Sequence, residues 1–377
     1  MDVLPNADEA IIAEAAATFL SGECTPALVR AAEADASRMS ARLWGQMAEG
    51  GWLGVSLPED VGGQGLPLSI LGLVFEECGR HLAPVPLLGC TVAALIVGRH
   101  GTPAQRALLR DVVGGGHRLT CAIQEPSGRW GADQVAMTGA RDGDRIVLSG
   151  TKAYVTAFEA AGHCLTVFRL DGALTLALVP TDLPGLTHTR LVPTGGDAEG
   201  IVRFDNVRIP TEALVGTPND VAELFDFTSV LTASLMVGAA HQAVRRAADY
   251  AKERQAFGQP IGAFQAIQHL AADALIGVDG AQLLTREALW RLGEGLPAGV
   301  EVAQAKSFAN EHCLKAVRIA QQIHGGIGFI EVFDQQLWYR RVTSWTLRAG
   351  TIGEHRDRIA AALLDNQGQV RLGISLE

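Results

Sequence analysis

A chain of 377 residues with 48% apolar side chains is too long for one small domain and can bury a sizeable core in two or three packed units. Its net charge of −10 argues against nucleic acid as a partner, because phosphate binding needs clustered Lys and Arg. No apolar run reaches the roughly 18 uncharged residues of a membrane span. The acidic start, Met1-Asp2-Val3 through Asp8-Glu9, lacks the basic opening of a secretory signal, so a cytoplasmic protein without membrane attachment is expected.

Residues 1–117 read as a helical domain. Ile11, Ala15, Ala16 and Phe19, and later Leu71, Leu73, Val74 and Cys78, recur at helical spacing. Gly and Pro break the pattern at Leu57-Pro58 through Gly62-Gly63 and at Ala83-Pro84-Val85-Pro86. Over 118–217 the period becomes two. Arg145–Gly150 and Thr175–Pro180 read as strands of a small β-domain, and Arg141-Asp142-Gly143-Asp144 as a hairpin tip. Helices return over 218–377, where Ala239, Ala243, Val244, Ala247, Ala248 and Ala251 share one face. Gly238, Ala239 and Ala240 would admit either a bulky ligand or tight helix packing. Cys24, Cys78, Cys90, Cys121, Cys164 and Cys313 form no CxxC pair and read as free thiols of a reducing compartment, with no metal site.

The order helix, sheet, helix carries local motifs that resemble the acyl-CoA dehydrogenase family over nearly the whole chain. They include Gly51-Trp52-Leu53-Gly54, Gly62-Gly63-Gln64-Gly65-Leu66 and Tyr154-Val155-Thr156. Further on come Phe204-Asp205-Asn206-Val207, Glu253-Arg254-Gln255-Ala256-Phe257-Gly258 with Phe264-Gln265, and Gln322-Ile323-His324-Gly325-Gly326-Ile327-Gly328-Phe329. The resemblance implies an α+β fold with an N-terminal helical domain, a middle β-barrel-like domain and a C-terminal four-helix bundle. It also implies FAD as cofactor, an acyl-CoA substrate and an electron-transfer flavoprotein as acceptor.

By that resemblance Thr156 bonds flavin N5, Tyr154 stands where an aromatic packs on the ring edge, and Gln124 contacts the pyrimidine end. Alone, these would read as a strand Thr and a half-buried Tyr. Arg254, Phe257 and Gln265 match residues on the FAD pyrophosphate and adenosine of a neighbouring subunit, where an Arg fork suits paired phosphate oxygens. Gln322, Gly325 and Gly326 match the element that meets the other subunit's flavin, so a homotetramer, or a heterotetramer with a paralogous subunit, is implied. His324 reads as a packing or capping residue. Gly350 and Thr351 match a Gly-Thr that contacts FAD, and Thr351-Ile352-Gly353-Glu354 also has the form of a capping box.

The family reaction removes an α-proton from a thioester while hydride passes to the flavin, so a carboxylate must stand within hydrogen-bond reach of the α-carbon. The usual position is Ala349, and the alternative position used by some relatives is Thr228. The loop Glu125-Pro126-Ser127-Gly128-Arg129-Trp130-Gly131 also departs from the family's small-residue run, so the pocket roof should differ. Three readings follow. The chain is a base-less subunit of a heteromeric dehydrogenase, as in bacterial steroid side-chain degradation; or its base has moved, with Asp226 preferred over Glu223 and Glu354; or it runs other flavin chemistry, such as oxygen activation or an elimination.

Overall fold

The computed structural model describes residues 6–365, so the first five residues of the acidic start lie outside it. Seven helices come first: α1 (Ala7–Glu23), α2 (Pro26–Ala34), α3 (Ala41–Glu49), α4 (Leu68–His81), α5 (Leu87–His100), α6 (Pro103–Ala107) and α7 (Leu109–Val113). Local chemistry sets their starts. Asn6 and Glu9 close a reciprocal capping box on α1, and Thr25 caps α2 with Pro26 at its first position. The apolar face of α1 differs from the expected one. Ile11 is 64% exposed and Ala15 is exposed too, whereas Ala16 and Leu20 are buried, so the buried stripe follows the latter pair. In α4, Leu71, Leu73, Val74 and Cys78 are all buried.

The middle strands are β1 (Leu119–Ala122), β2 (Thr138–Asp142), β3 (Arg145–Thr156), β4 (His163–Leu170), β5 (Ala173–Pro180), β6 (Leu186–Arg190), β7 (Glu199–Pro210) and β8 (Leu214–Val215). They form one mixed sheet in the order β6-β7-β3-β2-β4-β5-β8, with β1 added parallel to β4. Asp142 pairs Arg145, so Gly143-Asp144 is a two-residue hairpin loop, and Gly143 supplies the left-handed φ of 63° that it requires. The β3–β7 ladder shifts register between Leu148 and Gly150 and again between Lys152 and Val155. These bulges bend β3 and re-aim its last residues, Tyr154 to Thr156, toward the helices.

The third part begins with α8 (Val221–Glu253), followed by the short ladder β9 (Gln255–Ala256) and β10 (Gln259–Pro260). Then come α9 (Gln265–Gly293), α10 (Gly299–His324), α11 (Gln335–Trp345) and α12 (Ile352–Asp365). With its preceding turn, α8 is long and apolar enough by composition to cross a bilayer, contrary to the expectation that no segment is; 83% of its apolar window is buried inside the fold. It is the central helix, packed on α4, α9 and α10. Its small residues serve helix approach. A Cβ on Gly238 would lie 1.7 Å from the Glu76 carbonyl oxygen, and one on Gly79 would lie 2.0 Å from that of Leu235. The α4 and α8 backbones therefore touch, and no ligand fits between them at that level.

One hydrophobic cluster runs through both helical parts and onto one face of the sheet, and a smaller one fills the other face. All six cysteines are free, and all but the half-buried Cys121 are buried. Burial pushes the Cys24, Cys164 and Cys313 thiols up to about 12, so they pack as small apolar groups.

Candidate functional site: a cleft between the sheet and the C-terminal helices

A cleft opens where the ends of β1 and β3 meet α5, α8 and the turn before α12. Its sheet-side wall holds Gln124, Tyr154 and Thr156, and α5 contributes Leu87, Leu88 and Gly89. Gly89 is required by proximity: a Cβ there would lie 2.7 Å from Thr156 Oγ1 and 3.2 Å from Thr120 Oγ1. The Thr120 hydroxyl donates to the Thr156 carbonyl oxygen at 2.6 Å and fixes the end of β3. Tyr154 and Ala157 both take left-handed backbone conformations, φ 59° and 50°. Such strain persists only where the surroundings over-determine it.

The opposite wall is formed by Trp345 at the end of α11 and Arg348 and Ala349 of the turn before α12, together with Thr228, Thr232 and Leu235 of α8. Ala349 takes φ 55° and Gly350 φ 96°, and a Cβ on Gly350 would lie 2.2 Å from His355 Nε2. Three elements grip the turn through its carbonyls. Ser229 Oγ and His355 Nε2 donate to the Ala349 carbonyl at 3.2 and 2.8 Å, and Asn310 Nδ2 donates to that of Gly350 at 2.9 Å. Lys306 Nζ, fully buried, donates to the Trp345 carbonyl at 3.2 Å and to Asn310 Oδ1. With no carboxylate beside it, burial brings the Lys306 ammonium down to about 7. Burial likewise takes His355 down to about 4, aided by the Lys306 charge.

Four charged groups line the cleft, and all four are paired. Arg348 makes a two-pronged contact with Glu199, 2.7 Å on each oxygen, and lies over the Tyr154 ring with 3.8 Å from guanidinium carbon to ring centre. Arg341 donates to Asp197 at 3.0 Å and also reaches Glu33. Burial pushes both carboxyls above the ordinary range, and the guanidinium groups oppose it. None of these four residues is assigned a role by the sequence motifs. Glu199 opens β7 opposite Thr156, and its pairing with Arg348 is made across 149 residues, so no local motif announces it.

The candidate bases lie elsewhere. Asp226 does not line the cleft; its Oδ1 accepts from Arg358 Nη1 at 2.8 Å, and burial raises its pKa while Arg358 pulls it down. Glu223 pairs with His100 and Arg99. Glu354 accepts from the Thr351 amide and hydroxyl and, through its other oxygen, from the Trp130 amide at 2.8 Å. Burial tends to raise Glu354, but these donors outweigh it and hold the carboxyl below its usual range. Thr228 and Ala349, the two positions where the sequence resemblance places a base, both line the cleft.

The expected residues of the shared interface do not line this chain's cleft. Arg254 and Phe257 sit in the exposed connection from α8 to α9, with Phe257 at φ 53° and 96% exposed, and exposed Gln265 opens α9. Gln322, Gly325 and Gly326 are exposed at the end of α10, next to exposed Phe329, Ile330 and Val332. His324 is buried, donates to the Ala320 carbonyl and stacks on Tyr250 with ring centres 4.6 Å apart.

This chain belongs to the acyl-CoA dehydrogenase family. Residues 6–115 match the acyl-CoA dehydrogenase N-terminal domain and residues 219–364 its C-terminal domain. The acyl-CoA dehydrogenase FadE12 of Mycobacterium tuberculosis is 32% identical over 78% of this chain and 80% of its own length. The probable acyl-CoA dehydrogenase YngJ of Bacillus subtilis is 31% identical over 85% and 88%. Among solved structures, a variant of the Tcur3481-Tcur3483 steroid ACAD superposes with a TM-score of 0.89 at 34% identity, covering 96% of this chain and 98% of that one. The ChsE4-ChsE5 complex of Mycobacterium tuberculosis superposes at 0.91 and 26%, covering 96% and 99%.

The family's cofactor is FAD, and the cleft fits it. The lining is mainly apolar, as a flat ring system needs, and the half-buried Thr156 stands on it with a hydroxyl able to donate to a ring nitrogen. Bound there, FAD supplies the hydride acceptor. The exposed Arg254 fork has the donor geometry for a pyrophosphate, though not in this chain's own cleft.

Proposed function

We propose that this chain is the FAD-binding, base-less subunit of a heteromeric acyl-CoA dehydrogenase, acting on an acyl-CoA thioester with a carboxylate supplied by a paralogous partner. One observation carries the reading: among the described residues, no unpaired carboxylate lines the cleft. Asp197 and Glu199 are held by Arg341 and Arg348, and the two base positions are Ala349 and Thr228. Arg348 occupies both Glu199 oxygens and Arg341 holds Asp197 through Oδ1, so neither side chain is free to turn toward an α-carbon. Two of the similar solved structures carry two-component names, and one is a steroid enzyme, which favours a heteromer and a bulky acyl group. In this assembly Thr156 and Tyr154 orient the flavin, the Arg348–Glu199 pair excludes water beside it, and Arg254, Phe257, Gln265, Gln322, Gly325 and Gly326 serve the shared interface. Electron-transfer flavoprotein is the acceptor.

The test is an anaerobic titration with a panel of acyl-CoA esters, following flavin absorbance. Bleaching requires both proton and hydride abstraction and so reads the base. The chain alone should stay yellow and should bleach once its partner subunit is added. Bleaching by the chain alone would overturn the reading. If Asp226→Asn then abolished it with FAD still bound, the base would be Asp226.

A further inference from the structure

Tyr154 reaches the cleft through a bulge. Lys152 pairs Val202 and Val155 pairs Gly200, so Ala153 and Tyr154 stand together opposite the single residue Ile201, and both line the cleft. An aromatic residue keeps a left-handed φ of 59° only where its surroundings hold it there. Arg348 supplies such a hold. Its guanidinium carbon stands 3.8 Å from the centre of the Tyr154 ring, and it reaches the ring from the opposite wall of the cleft.

The guanidinium is itself fixed at both ends. Its Nε and Nη2 donate to different Glu199 oxygens, each at 2.7 Å, so the fork sets where the cation lies. Glu199 in turn pairs with Thr156, two residues beyond Tyr154. The Arg348 backbone belongs to the gripped turn, and its amide donates to the Trp345 carbonyl at 3.1 Å. The Arg348 side chain is 17% exposed and that of Glu199 4%, so the cation meets the ring in a poorly hydrated site, where such contacts are strongest. A Lys ammonium, being a point charge, could not hold both carboxylate oxygens while covering the ring.

We propose that Arg348 is a positioning residue for the flavin that acts through Tyr154: the guanidinium, locked by Glu199, fixes the phenol ring as a rigid wall of the cofactor site. A ring held in place before the cofactor arrives has little side-chain freedom left to lose on binding, so the benefit appears as FAD affinity. The proposal rests on the reading of Tyr154 as a flavin-orienting residue and is independent of where the base comes from.

The experiment is a double-mutant cycle on FAD affinity, measured by titrating the deflavinated full chain, in the assembly in which it is purified, with FAD. Arg348→Met should weaken binding about tenfold in the wild-type background, and equally with Tyr154→Phe, which keeps the ring. With Tyr154→Leu, which leaves no ring to hold, it should weaken binding less than about twofold. Arg348→Lys should lose nearly as much as Arg348→Met, since charge alone does not replace the fork. Equal losses on the Phe and Leu backgrounds would mean that Arg348 serves the fold and not the ring, and would overturn the proposal. Full affinity in Arg348→Met or Arg348→Lys overturns it too. Should Arg348→Met fail to fold with Glu199 left buried and unpaired, Arg348→Met combined with Glu199→Gln replaces it under the same criteria. Tyr154→Leu at wild-type affinity sinks the reading of Tyr154 and the proposal with it; a weakened Tyr154→Leu with additive losses sinks the proposal alone.

Discussion

The two walls of the cleft share a backbone strategy and differ in chemistry. The sheet wall ends in Tyr154, left-handed at φ 59°, with Thr156 pinned by Thr120 and crowded by Gly89. The turn wall ends in Ala349, left-handed at φ 55°, with its carbonyl pinned by Ser229 and His355 and Gly350 crowded by His355. Both are strained, over-determined platforms of the kind that hold functional side chains. One still presents a hydroxyl to the cofactor site; the other presents a methyl group. A methyl group gains nothing from a left-handed backbone, so the platform outlasts the group it would have carried. On the base-less reading, the turn wall keeps the scaffold of a functional platform and lacks only the side chain.

The largest effect should come from breaking the turn wall. Gly350→Ala combines a left-handed φ of 96° with a Cβ 2.2 Å from a buried ring nitrogen. A destabilisation of about 3 kcal/mol is expected from strain plus overpacking, read as a shift in the urea midpoint. An unshifted midpoint would mean the turn is looser than its partners imply.

Glu199→Gln comes next and breaks the bridge between the walls. Arg348 would keep one acceptor and lose the matching charge, in a site where the Glu199 side chain is 4% exposed. About 2 kcal/mol should be lost, less than the full cost of an orphaned buried charge because Gln still accepts. The change should also alter the pH dependence. Folded Glu199 titrates above its unfolded value, because burial outweighs Arg348. The group's contribution to stability is therefore fully present below its unfolded pKa, about 4.3, and is lost as pH rises through the folded value. Stability curves of the two proteins should diverge over that window and run parallel outside it.

Gly89→Ala tests the sheet wall and should be milder. Its new Cβ meets hydroxyl ends, Thr156 Oγ1 at 2.7 Å and Thr120 Oγ1 at 3.2 Å, which can rotate. About 1 kcal/mol of stability should go. The sharper readout is FAD affinity, which should weaken as the Thr156 hydroxyl turns; unchanged affinity would detach Thr156 from the cofactor.

Much of this architecture is legible in the sequence, for identifiable reasons. The period change near residues 118 and 217 reports where side chains switch from helical to sheet packing, and Gly143 marks a turn that only its backbone tolerates. Ala239, Ala243, Val244, Ala247 and Ala251 are readable as a buried face because α8 is long enough to repeat the pattern. Ile11 misleads because α1 is Ala-rich and nearly uniform in hydropathy, so no face stands out. The Gly238 question has no answer along the chain, since only the approach of α4 decides between ligand space and backbone contact. Arg348, Glu199, Arg341 and Asp197 escape because their pairings span 149 and 144 residues and pass beside a bulged strand.

The smallest change at neutral pH, and the finest test of the turn wall, is Lys306→Met. The folded ammonium titrates at about 7 against an ordinary 10.5, because burial penalises its charge with no carboxylate beside it. Between those values the unfolded chain binds the extra proton, so this group makes stability rise with pH from about 7 upward and penalises the fold below 7. The substitution would remove that slope, worth up to roughly 1.4 kcal/mol per pH unit. It would also delete the contacts to Asn310 and to the Trp345 carbonyl, so the two effects nearly offset at neutral pH. Urea unfolding of both proteins between about pH 7 and about pH 8 isolates the difference, since both chains carry the same six thiols and their ionisation cancels in the comparison. The wild type should gain on the variant as pH rises. Parallel curves would mean that Lys306 keeps its charge through partners the turn does not provide, and that the turn wall is held by Ser229, Asn310 and His355 alone.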